Sequence, residues 1–102
     1  MGASDHGFKA WYESSADGHS NIVVVGKVTE VDGSVTNLVR AVPQGKDPHV
    51  LLLKIKRKPY EGLFHPHISL EREIRYEEPA QPGEFADVQI QSNDNTFILK
   101  PK

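Results

Sequence analysis

The chain has 102 residues, of which 37% are hydrophobic, 25% charged and 8% aromatic, with 12 Lys+Arg against 14 Asp+Glu. That length suits one small domain, the apolar share excludes a wholly disordered chain, and a formal charge of -2 gives no overall pull toward nucleic acid or acidic membranes. The absence of cysteine rules out disulfide scaffolding, thiolate catalysis, Fe–S clusters and Cys-based zinc sites.

Residues 1–7 are small and polar with two glycines, and are expected to form a flexible amino terminus ahead of one β domain over 8–102. They lack the basic-then-apolar pattern of a signal peptide. With no disulfides either, the reading favours a cytoplasmic location. The longest apolar runs, Ile22 to Val25 and Val50 to Leu53, are far below the roughly 20 residues that cross a bilayer.

Phe8, Ala10 and Tyr12 alternate with Lys9 and Trp11, which predicts a short strand over 8–13. Trp11 is expected to cover an open end of the core; an exposed recognition surface is the rival reading. Ile22 to Val31 is rich in β-branched residues and predicts a strand. Both of its faces are apolar around Val23 to Val25, which suggests cover on two sides or a subunit contact. Asp32-Gly33 predicts a hairpin into Val35 to Val42. A two-residue loop would set Val28 opposite Asn37. A three-residue loop with a bulge would set Val28 opposite Leu38 and Val24 opposite Val42, the better apolar match.

Pro43 to Pro48 reads as a connection, and His49 to Lys58 as a strand with Leu51, Leu53 and Ile55 on one face. Pro59 ends it, and Tyr60, Gly62, Leu63 and Phe64 read as a plug for the sandwich edge. His67 to Tyr76 alternates Ile68, Leu70, Ile74 and Tyr76 against Ser69, Glu71, Glu73 and Arg75, broken on the apolar side by Arg72. Its acids are expected to face the basic end of the preceding strand. Pro82-Gly83 suits a type II turn. Two short strands, 85–91 and 96–100, flank the polar loop Ser92 to Asn95.

Six or seven short strands with no helical window give an all-β fold, read as a single antiparallel β-sandwich, immunoglobulin-like in broad architecture. A small closed barrel is the alternative.

Chemistry-bearing residues are few. His65-Pro66-His67, with His49 as a third ligand, could hold a metal, although proline at the centre disturbs strand geometry. Lys54, Lys56 and Arg57 beside Tyr60 could bind single-stranded nucleic acid, against which stand the net negative charge and the acids of the next strand. Trp11, Tyr60 and Phe64 are the candidate aromatic contacts. No paired acids, nucleophile turn or phosphate loop marks a catalytic site. The expected function is therefore a non-enzymatic protein-interaction or structural module, without cofactor, pairing with another protein or with itself as a homodimer. A small metal protein or enzyme using His65 and His67 and a nucleic-acid-binding module are the rivals.

Overall fold

The computed structural model describes residues 7–31, 33–60, 62, 68–92 and 95–102. The chain forms seven strands: β1 (Lys9–Ser14), β2 (Ser20–Val31), β3 (Val35–Arg40), β4 (Val50–Lys58), β5 (Ser69–Pro79), β6 (Asp87–Gln91) and β7 (Thr96–Leu99). They build two sheets, β1-β2-β5 and β3-β4-β6-β7. An all-β two-layer sandwich is thus the observed fold, and the strand pairing leaves two separate sheets in place of a continuous barrel.

Alternation builds the core. Ile22 and Val24 of β2, Ile74 of β5, Leu38 of β3, Leu51 and Leu53 of β4, Val88 and Ile90 of β6, and Phe97 and Leu99 of β7 interleave between the sheets. At the end where β5 leads to β6, Ala80 and Phe85 close this core. Tyr12 anchors that closure, donating its hydroxyl to the Phe85 carbonyl at 3.0 Å and accepting the Phe85 N–H at 2.9 Å. The turn between them is formed as Pro82-Gly83 implies: Gly83 has φ 85° and Glu84 N–H donates to the Gln81 carbonyl at 2.9 Å.

Four expectations are corrected. The first concerns the turn at Gly33. It is tight, with φ 78° and Ser34 N–H donating to the Val31 carbonyl at 3.0 Å. It joins no hairpin, because β2 pairs with β1 and β5 while β3 pairs with β4. Neither Val28–Asn37 nor Val28–Leu38 is a strand pair; Val28 lies opposite Arg72. The strand crosses from one sheet to the other at this turn.

The second correction concerns direction. β4 and β6 pair in parallel, with Leu51 opposite Val88 and Leu53 opposite Ile90. After β4 the chain crosses to the other sheet as β5 and returns as β6, so β4 and β6 run the same way. The sandwich is therefore not wholly antiparallel, and this pair departs from the two antiparallel sheets of an immunoglobulin domain. What it shares with that architecture is the layering of seven strands.

The same crossover undoes the third expectation, a charge ladder between β4 and β5: these strands are in different sheets. The acids of β5 find other partners. Arg75 meets Glu13 and Glu77 at 3.3 Å each, and Glu78 takes Arg40 at 2.6 Å.

Trp11 gives the fourth correction. Phe8 and Ala10 face the core, so alternation turns Trp11 to the outer face, opposite Val23. Its indole N–H donates to Glu13 at 3.0 Å. Val23 is fully buried there and Val25 nearly so, flanked across the ladder by Trp11, Lys9, Arg75 and Glu77. The two-faced start of β2 is thus covered by its own neighbours and needs no second subunit. Leu52, outward-facing in the apolar run Val50 to Leu53, is held by Gln44, whose amide bonds both its N–H and its carbonyl at 3.0 and 2.8 Å.

Candidate functional site

The handover from β2 to β3 defines one end of the sandwich, here the distal end. β2 and β5 extend there beyond β1, whose pairing with β2 stops at Lys9–Val25. The inner face that is apolar at Ile22 and Val24 becomes polar at Glu30, and Glu30 is only 8% exposed. A buried carboxylate needs partners to offset its lost hydration. It has three contacts: Arg72 Nε at 2.9 Å, Arg72 Nη2 at 2.9 Å and the Thr36 N–H at 2.6 Å. Arg72 Nη2 also donates to the Thr36 carbonyl at 2.6 Å. The guanidinium beside it, followed by the Thr36 N–H, holds the Glu30 carboxyl below its usual range. This clamp ties β2, β5 and β3 together across the two layers.

Beside the clamp a cleft of about 530 Å³ opens between the sheets, along the stretch of β2 that β1 leaves uncovered. Phe8 and Phe97, ring centroids 5.5 Å apart, lie at its base. Val28 and Ile55 add apolar wall, Thr36 and Arg57 flank them, and Lys27 stands at the β2 rim. Gly26 lets Phe8 in: a Cβ at that position would meet the Phe8 ring at 2.2 Å. Among the described residues, Lys27 and Arg57 form no ion pair, and the buried Ser34 and Thr36 hydroxyls have no hydrogen-bond partner.

The distal end also carries an apolar rim. Val31, Val35, Tyr60, Ile68 and Leu70 are all exposed, Leu70 most so at 57%. Register gathers them: Val31 lies opposite Ser69, Leu70 opposite Glu30, and Val35 opposite Lys58, two residues before Tyr60.

The residues singled out in the sequence are scattered by this fold. Alternation along β4 sends Lys54 and Lys56 to the outer face of the four-stranded sheet and Arg57 into the cleft. Tyr60 lies at the distal rim against Gly62, beyond the end of β4, which belongs to the other sheet from the strand bearing Trp11. Phe64, His65 and His67 lie outside the described residues. His49 is exposed; its N–H donates to Asp47 at 2.9 Å and its carbonyl accepts the Ala86 N–H at 2.7 Å. Among the described residues no group of three His, Cys, Asp or Glu side chains could hold a metal ion. No helix among them is long and apolar enough to cross a membrane.

Sequence reasoning missed Glu30, Thr36 and Phe8 as members of this end of the molecule. The available signal was a pair of charged residues, Glu30 and Arg72, each interrupting an apolar face.

No protein-family model matches the chain, and neither a curated protein nor a solved structure shows significant similarity to it.

Proposed function

We infer that the chain is a non-enzymatic interaction module whose contact surface is the distal end, and that its partner there is a second copy of the chain. The observation that carries this reading is the gathering of Val31, Val35, Tyr60, Ile68 and Leu70 on one end of the sandwich while the core residues are enclosed elsewhere. Exposed apolar side chains clustered at one end of a fold favour association. Aliphatic groups carry no charge pattern that selects a different partner, and a two-fold pairing sets each patch against its own chemistry.

Sedimentation velocity over a range of concentrations tests it. The wild-type mass should rise toward twice the monomer value, while a variant carrying Ile68→Asp and Leu70→Asp should stay at the monomer value with an unchanged circular dichroism spectrum. A wild-type chain that remains monomeric at every concentration refutes the reading, as does a double variant that associates equally well.

A further inference from the structure

We propose that the distal cleft is a binding site for a small amphiphilic anion, a carboxylate with an apolar tail. The cleft joins two chemistries. Its base is apolar, made by the Phe8–Phe97 ring pair with Val28 and Ile55. Its rim holds Lys27, which lies opposite Glu73 in the β2–β5 register, and Arg57, whose charge also acts on Glu30; neither makes an ion pair among the described residues. Cations at the rim of an apolar pocket suit a ligand whose charged head stays near water and whose tail enters the gap between the sheets. A volume of about 530 Å³ lies within the range of small-molecule pockets.

A third observation is independent of charge. Thr36 is fully buried in the cleft wall, and its hydroxyl has no hydrogen-bond partner. An unsatisfied buried hydroxyl is costly, and a carboxylate oxygen held beside Arg57, which lies opposite Thr36 in the β3–β4 register, supplies the missing acceptor. Glu30 is not that acceptor: its oxygens are engaged by Arg72 and by the Thr36 backbone. The site is distinct from the apolar rim, and the proposal does not depend on self-association.

The experiment follows backbone amide resonances of the full chain during titration with octanoate, octanol and acetate. Octanoate should bind saturably and shift the amides of Lys27, Thr36, Arg57, Ser92 and Asn95. Octanol, lacking the charge, and acetate, lacking the tail, should bind at least about tenfold more weakly. Arg57→Gln and Lys27→Gln, both at exposed positions, should each weaken octanoate by about tenfold while leaving the melting temperature near the wild-type value. Thr36→Val separates a binding role from a folding role: it should weaken octanoate yet leave the free chain as stable or more stable, because the hydroxyl it removes is unpartnered. The proposal is overturned if octanoate causes no saturable shift, if its shifts map elsewhere, if octanol binds as well as octanoate, or if Thr36→Val destabilises the free chain.

Discussion

The Glu30 carboxylate accepts the Thr36 N–H at 2.6 Å, occupying the place where a hairpin would supply a backbone carbonyl. β3 can therefore leave the sheet of β2 without stranding its first buried amide. Arg72 completes the arrangement by gripping both Glu30 oxygens and the Thr36 carbonyl. Such charge-assisted, bidentate contacts fix geometry as well as energy.

Glu30→Gln keeps the size of the side chain and removes its charge, and should lower the melting temperature at neutral pH. The pH dependence has a definite sign. Because Arg72 and the Thr36 N–H depress the Glu30 pKa below 4.5, the stabilisation is complete above that value and is lost as pH falls through the depressed one. The gap between wild type and Glu30→Gln should thus shrink on acidification. Parallel melting curves from neutral to acidic pH decide the matter; a gap independent of pH would contradict the assignment.

Gly26 permits the core position of Phe8. A Cβ there would lie 2.2 Å from the Phe8 ring, so Gly26→Ala must displace either the ring or β2. A cost of about 1–3 kcal/mol is expected in denaturant unfolding, as for other overpacked cores. The control is Phe8→Ala. In that background the added methyl meets no ring, and Gly26→Ala should be neutral or stabilising, since alanine loses less backbone entropy than glycine on folding. Additive effects in the double variant would show that the ring is not what excludes the methyl.

All seven strands were legible in the sequence to within a few residues, because β-branched and leucine side chains at period two report a strand independently of its partners. Partnership was not legible. Gly33 supplies the same positive φ whether the chain folds back into its own sheet or crosses to the other, so turn chemistry alone could not separate the two. The β5 terminus also ran further than its turn-like sequence implied. Pro79 ends an edge strand, paired only with β2, where a missing N–H is tolerated. The clearest missed clue is the pair of parity breaks, Glu30 and Arg72. Each looks like a defect in an apolar face, and together they form the clamp at the candidate site. Lys54 and Lys56 share one face of β4 and Arg57 falls on the other, a separation that follows from strand alternation.

Tyr12 and Phe85 link the first strand to the loop entering β6. The Tyr12 hydroxyl is both donor and acceptor to one backbone unit, at 3.0 and 2.9 Å. Tyr12→Phe leaves the Phe85 N–H and carbonyl without this partner in a half-buried setting. A loss of about 1–3 kcal/mol in unfolding free energy is expected. The Phe85 amide should also exchange with solvent markedly faster than in the wild type. Unchanged exchange at Phe85 would show that the bond contributes little to closing that end of the core.

Tyr76 provides a test at the opposite extreme of pH. Its hydroxyl donates to Glu78 at 2.5 Å, and Glu78 also receives Arg40 at 2.6 Å. Burial, reinforced by the Glu78 carboxylate, pushes the Tyr76 pKa from 10.0 to about 12. In the unfolded chain the phenol ionises near its ordinary value, whereas the fold retains the proton. The neutral phenol therefore stabilises the fold fully below pH 10.0, and that contribution is lost as pH rises toward about 12. A difference titration of phenolate absorbance, wild type minus Tyr76→Phe, should show one tyrosine ionising near pH 12. Over the same interval the wild-type melting temperature should fall more steeply than that of the variant. A difference curve centred on the ordinary tyrosine value would mean that Tyr76 is not held by burial and Glu78 in the way described.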